Sequence, residues 1–308
     1  MTIISKKIII ALAAAVIFHG CSNGDDAMLD GGAAEDAADS LSLRVAVMPT
    51  LDCLPIYVAY ESGIFARESL SVSLVPFTAH MDCDTAIAGG TVHVMPSDLV
   101  RAERLVRQGT PLRYVTATDL QWQLLTAKNA RIRKLPQIDD KMMAMTRYSA
   151  TAMMADHLVD SAKLQTERVF RIQVNDVHVR LNMMETGIMD AMLLPEPQAT
   201  VARNLGCNML YDSGADSLAM GVVAFSEKAL KDSLHQQQME TFIKAYDEAC
   251  DSINILGLEH YRDIITNRCQ VKESIVDSII IQHPPRYTHA RPPRQRDIDR
   301  AKAWLSKY

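Results

Sequence analysis

From residue 43 onward the apolar positions fall into short runs that switch between a period of two and a helical period. Leu43 to Met48 is valine-rich and loosely alternating, which predicts a strand. The loop Pro49-Thr50-Leu51-Asp52-Cys53-Leu54-Pro55 interrupts it. A helix then restarts with Pro55 in its first turn, where a missing N–H costs nothing. It carries Ile56, Val58, Ala59 and Tyr60, and Gly63 closes it. Ser71 to Phe77 predicts a second strand, and Asp82 or Asp84 offers a cap for a helix over Thr85–Ala88. Thr91 to Met95 predicts a third strand, and Pro96-Ser97-Asp98 a turn and cap for a helix reaching Gln108.

The pattern returns further on. Lys141 to Met145, Phe170 to Val174 and Met189 to Leu193 read as strands, with helices over Ala150–Leu158 and Val177–Met184 between them. Strand–helix–strand repetition of this kind predicts parallel-rich sheets flanked by helices, with right-handed crossovers. Two α/β halves result, each too small for a deep pocket of its own. Leu112–Thr116, Gln123–Ala127 and Gly221–Phe225 look extended and join the halves twice, as a two-strand hinge requires. The first lobe is therefore placed at 41–118 and 222–308, and the second at 119–221. Helices near Gln237–Leu256, His260–Thr266, Lys272–Ile279 and Asp297–Ser306 are expected to pack back on the first lobe.

The amino terminus changes the setting. Lys6 and Lys7 precede an apolar run from Ile8 to Phe18, too short to span a bilayer about 30 Å thick. A charged start, a short apolar core and small residues predict an export signal over 1–20. Its end, Phe18-His19-Gly20-Cys21, resembles a bacterial lipobox, which implies acylation of Cys21 and a lipid anchor at the membrane. An ordinary signal peptide with an incidental cysteine is the plainer reading. Residues 21–40 are rich in Gly, Ala and Asp without apolar periodicity, the composition of a flexible tether.

Net charge is −5 with no basic cluster, which argues against nucleic acid as a partner. Six cysteines are present, and no pair has the CxxC spacing of a zinc ribbon, so no structural metal is expected. Neither a Ser-His-Asp signature, a phosphate-cradling glycine loop nor an HExxH motif appears.

Three segments carry a resemblance: "LPIYVAYESGIFARESLSVSLVPF", "AIAGGTVHVMPSDL" and "METGIMDAMLLPEPQATVA". In this order they resemble ABC-transporter solute-binding proteins of the branch serving nitrate, sulfonates, taurine and thiamine-pyrimidine precursors. The resemblance runs from about Leu43 to Trp304. It implies the two-lobed periplasmic-binding-protein-like fold, a monomer facing the periplasm from the cell envelope, and binding without chemistry or cofactor. The solute would be closed between the lobes and delivered to a membrane permease.

Ligands of open α/β sheets bind beyond the carboxyl ends of the strands. The matching positions are Asp52, Cys53 and Leu54 after strand one, Met81, Asp82 and Cys83 after strand two, and Ser97 and Asp98 after strand three. In the second lobe Tyr148, Ser149, Ala150 and Thr151 open a helix whose N–H groups suit an anion or carbonyl. Glu196 matches the family's acidic residue before proline, and Asp119 and Trp122 fall in the hinge, where the indole offers a stacking face. Asp82, Asp84, Asp98, Ser149 and Thr151 read equally as helix caps, Trp122 as hinge packing, and Glu196 as the partner of a basic group. Neighbouring loops would allow a Cys53–Cys83 disulfide, and Cys250–Cys269 is a second pairing.

Acids crowd these loops: Asp52, Asp82, Asp84, Asp98, Asp119 and Glu196. That balance favours a neutral or amine-bearing ligand such as a thiamine-pyrimidine precursor over a sulfonate or nitrate. The competing class is an enzyme on the same architecture, of menaquinone-pathway or pyrimidine-synthase type. The cysteine-rich stretch of such a synthase is missing here.

Overall fold

The computed structural model describes residues 41–308; the export signal, Cys21 and the tether lie outside the described residues. The chain opens with β1 (Leu43–Val47), α1 (Leu54–Glu61), α2 (Ile64–Arg67), β2 (Val72–Pro76), α3 (His80–Gly89), β3 (Val94–Asp98), α4 (Leu99–Arg107) and β4 (Leu112–Ala117). It crosses into β5 (Trp122–Thr126), β6 (Lys141–Met145), α5 (Ala150–Ser161), β7 (Val169–Gln173), α6 (Val177–Glu185), β8 (Ala191–Pro195), α7 (Gln198–Asn204) and β9 (Asn208–Asp212). β10 (Gly221–Ser226) returns, followed by α8 (Ser233–His260), α9 (Arg262–Cys269), α10 (Glu273–Gln282) and α11 (Gln295–Leu305).

Two five-stranded sheets form, ordered β2-β1-β3-β10-β4 and β7-β6-β8-β5-β9. Their plans match. β1, β2 and β3 are parallel, as are β6, β7 and β8. The remaining pairs in each sheet are antiparallel. Parallel-rich sheets are the expectation, and mixed sheets are what the double crossing produces: β5 and β10 each arrive from the other lobe and run back between two strands of their own sheet.

Other differences are local. Asp82 and Asp84 do not cap α3, which begins at His80 after Ala79 and holds both acids inside it. Pro96, Ser97 and Asp98 stay in β3 instead of turning, because Gly221–Val223 of β10 pairs with them. Asp98 does cap α4, accepting from Arg101 N at 3.0 Å. β9 is a short edge strand that the apolar pattern did not announce.

The first-lobe core gathers β1, α1 and the long α8. α1 is apolar on nearly every side because it is buried on nearly every side. Phe242 of α8 stacks on Phe65 at 5.6 Å and meets Phe225 of β10 edge-on at 5.7 Å. Gly257 (φ 79°) breaks α8, a left-handed position that glycine takes without strain. The last helix, α11, packs along α4 of this lobe and also reaches α5 of the second, where Trp304 Nε1 donates to Asp156 Oδ2 at 2.6 Å.

At the return crossing, Gly221 accepts from Thr118 N at 2.9 Å. A Cβ there would stand 2.2 Å from Thr118 Oγ1 and 2.6 Å from Leu120 Cβ. Gly221→Ala is therefore expected to cost about 1–3 kcal/mol by overpacking. Urea denaturation checks this: an unchanged midpoint would mean the crossing has slack.

Candidate functional site

The carboxyl ends of β1, β3, β6 and β8 bring their loops together where the lobes meet. A small cavity of about 30 Å³ lies there, with room for about two waters. Met48 and Thr50 line it from the β1 loop, His80 from α3, and Asp98 and Arg101 from the start of α4. Trp122 and Pro195 come from the hinge side, and Thr146, Ser149, Thr151 and Arg180 from the second lobe.

Arg101 is the central charge. It is 2 % exposed, and one nitrogen, Nη2, pairs with the Asp84 carboxylate of α3. Its Nε and Nη1 are buried without a hydrogen-bond partner. Burial raises the Asp84 carboxyl above its ordinary range, against the opposing pull of Arg101. Facing it, Arg180 donates from Nε to Val174 O at 2.7 Å, from Nη1 to Leu193 O at 3.2 Å, and from Nη2 to Thr146 Oγ1. Burial, then the Arg101 charge, pulls Arg180 down to about 10. His80 is half-buried with its Nε2 enclosed and unpartnered, and desolvation lowers it to about 3, so it is neutral at physiological pH.

Asp98 connects the lobes. Its Oδ1 caps α4 and also accepts from Ala150 N, the first amide of α5, at 2.9 Å. Ser149 Oγ takes Thr151 N at 3.2 Å, and the Ser149 carbonyl takes Ala152 N and Met153 N. The α5 amides read from sequence as an anion cradle are thus engaged by the protein's own oxygens, one of them a carboxylate from the opposite lobe. Burial pushes Asp98 up to about 6. Further bonds seal the seam: Leu51 N to Glu196 O at 3.0 Å, Gln198 Nε2 to Pro49 O at 2.7 Å, and Val177 N to Thr78 O at 3.0 Å.

A second cavity, about 430 Å³, is lined by Leu51, Asp52, the hinge segment 119–121, Gln123, Glu196 and residues 282–287. Neighbours in sequence line opposite cavities: Thr50 and Leu51, Trp122 and Gln123, Pro195 and Glu196. The Leu51–Glu196 backbone bond stands between them.

The positions read from sequence separate accordingly. Asp98, Trp122, Ser149 and Thr151 meet at the small cavity, with Ala150 giving its amide to Asp98. Asp52 and Glu196 line the larger one. Cys53, Leu54 and Cys83 are a correction: all are fully buried in the first-lobe core, because the β1 loop turns straight into α1. The thiols are free. Cys53 Sγ accepts from Met48 N at 3.4 Å, and Cys83 Sγ contacts Met48 Sδ at 3.8 Å; Cys250 and Cys269 are free and buried too. Met81 and Asp82 face solvent on α3, one residue beyond the inward His80. Ser97 is buried in β3 away from both cavities. Tyr148 stands on the outside, under the Arg104 guanidinium at 4.9 Å and edge-on to Tyr308. Sequence reading missed His80, Arg101, Arg180 and Thr146. Arg101 does lie three residues after the Asp98 cap, one turn into α4 and facing the same end.

Two lobes of like plan, joined by paired crossings and meeting over buried arginines, define the periplasmic-binding-protein architecture. Solved structures agree. The alkanesulfonate-binding protein SsuA from Xanthomonas axonopodis pv. citri, bound to MOPS, superposes with a TM-score of 0.73 at 13 % identity, covering 87 % of this chain and 92 % of that one. The aliphatic sulphonate-binding SsuA from Escherichia coli gives 0.70 at 15 %, covering 86 % and 87 %. The nitrate-binding protein NrtA from Synechocystis PCC 6803 gives 0.65 at 12 %, covering 76 % and 68 %. At these identities the likeness shows the fold. A family model described as NMT1/THI5 like matches residues 50–254, and the chain belongs to that family. No curated protein matches it.

Removing Asp84 should leave the Arg101 charge buried and uncompensated. Asp84→Ala is expected to lose about 3–5 kcal/mol of stability. Guanidinium denaturation is the check, and a loss below about 1 kcal/mol would mean that Arg101 finds solvent or another partner.

Proposed function

We propose that this protein is a solute-binding component of an ABC import system, closing its lobes over a small solute that carries an oxyanion head. The observation that carries this reading is the pair of unpartnered donors on buried Arg101, beside Arg180 and the hydroxyl-lined turn Thr146–Thr151. A guanidinium presents a planar fork that suits sulfonate, nitrate or carboxylate oxygens. Four of the six acids counted in sequence for an amine-bearing guest do not oppose it here: Asp84 is paired with Arg101, Glu196 with Arg203 and Asp119 with Arg291, while Asp82 faces solvent. Asp52 lines the other cavity, and Asp98, inside this one, opposes an anion unless it takes up a proton. The neighbours whose descriptions name sulfonate and nitrate add support. The lipobox-like Phe18-His19-Gly20-Cys21 supports a lipid-anchored place in the envelope, where such a protein would meet its permease.

The cavity is smaller than most such guests, so capture requires the lobes to part. An entering oxyanion would take over the α5 amide that Asp98 now holds. Release unchanged to the permease needs no catalytic group. The enzyme alternative is tested by recovering the ligand intact after incubation.

Calorimetry with methanesulfonate and nitrate tests the reading. Binding of at least one is expected, with Arg101→Met weakening it at least thirtyfold. Equal affinity in that variant, or a response only to aminopyrimidines, would reject it.

Asp98 sets the pH dependence. An anion placed beside it raises its pKa above about 6, so binding takes up a proton and tightens as pH falls from about 7.5 towards 6. His80, lowered to about 3, does not titrate in this window. The uptake is measured by calorimetry in buffers of different ionisation enthalpy, and Asp98→Asn should flatten the profile.

A further inference from the structure

The larger cavity has a chemistry opposite to that of the smaller one. Asp52 lies in its wall at 6 % exposure, and neither carboxylate oxygen has a hydrogen-bond partner. The other two carboxylates there are already engaged. Asp119 accepts from Arg291 Nη2 at 2.7 Å and Thr288 Oγ1 at 3.2 Å. Glu196 accepts from Arg203 Nη2 at 2.9 Å and Thr200 Oγ1 at 2.7 Å. Asp52 is therefore the one acid of this wall without a counter-charge.

A buried carboxylate without a partner costs far more than a paired one, and a protein retains it only where something compensates. Here the chain supplies no counter-charge: only the Thr50 hydroxyl and Asp52's own backbone N–H offset the burial in part, and the other groups around it are the phenols of Tyr57, Tyr246 and Tyr287 and the thiols of Cys53 and Cys269, all neutral. Burial pushes Asp52 up to about 6, which still leaves it mainly ionised above neutrality. The rest of the wall is mixed: Leu51, Leu120, Pro284 and Pro285 give it an apolar side, Gln121, Gln123, Gln282 and His283 a polar one, with Arg286 exposed at the rim. Among the described residues no set of three His, Cys, Asp or Glu is placed to hold a metal ion.

We propose that the larger cavity is a second binding site, taking an organic monoamine whose ammonium pairs with Asp52 and whose apolar body lies against Leu51, Leu120 and the Pro284-Pro285 segment. A volume of about 430 Å³ falls in the range of small-molecule pockets. The site uses no residue of the oxyanion cavity and stands whether or not that reading holds. It shares the Leu51–Glu196 seam with that cavity, so its occupant would hold the lobes together from the hinge side.

Calorimetry of the full chain at pH 7.5 with benzylamine and phenethylamine provides the test. Binding of at least one amine is expected, weakened at least tenfold by Asp52→Asn. On the unmodified chain, benzyl alcohol, of the same shape without the charge, should bind at least tenfold more weakly than benzylamine. That comparison needs no variant to fold. Absence of amine binding, equal binding of the alcohol, or equal affinity in Asp52→Asn would each overturn the proposal.

Discussion

Arg101 is the charge around which the meeting of the lobes is arranged. A guanidinium at 2 % exposure cannot stand alone in a low-dielectric interior. Asp84 answers it from α3, and Asp98, at the end of β3, caps the turn of α4 that carries it. Three neighbouring elements of the first lobe are thereby tied to one point. Two of its nitrogens nevertheless remain unanswered, and they lie at the mouth of the second lobe, where Arg180 and the Thr146–Thr151 turn approach. A structure whose only concern was stability would replace the Arg101–Asp84 pair as a whole by apolar residues at little loss. Its retention in the seam is the strongest physical sign that the seam handles a charged guest.

The seam itself works through backbone and short polar groups. Asp98 bridges to the α5 amide, the Leu51 amide reaches the Glu196 carbonyl, and Gln198 reaches Pro49. Each bond is worth about 1 kcal/mol net, so a handful hold the lobes together without locking them. α11 adds a different tie, packing along α4 while Trp304 donates to Asp156 of α5. The lobes are thus linked by two chain crossings and a helix, and the bonds at the seam are weak enough to be exchanged for bonds to a solute.

The count of acids in the loops pointed to an amine-bearing guest, and pairing revises that. Most of these carboxylates have a cationic partner or face water, and a paired acid adds little negative field. Asp98 and Asp52 are the exceptions: Asp98 meets only backbone amides at the small cavity, and Asp52 lies in the wall of the other. Two opposite preferences were superimposed in one linear count because residues such as Leu51 and Thr50, adjacent in the chain, face different spaces.

The sequence by itself determined the two α/β halves, nearly every strand and helix, the double crossing and the family resemblance, because these follow from local periodicity, proline and glycine. It also singled out Asp98, Trp122, Ser149 and Thr151, which sit at strand and helix ends where ligands of such sheets gather. It did not separate His80 from Met81, or Cys53 from Asp52, since a one-residue shift in helix phase turns a side chain from core to cleft. Which acid meets which arginine, that β5 and β10 run antiparallel within their sheets, and that one hinge divides two cavities were decided only by the tertiary structure. Those outcomes depend on contacts between residues 17 to more than 100 positions apart, and no local pattern in the chain records them.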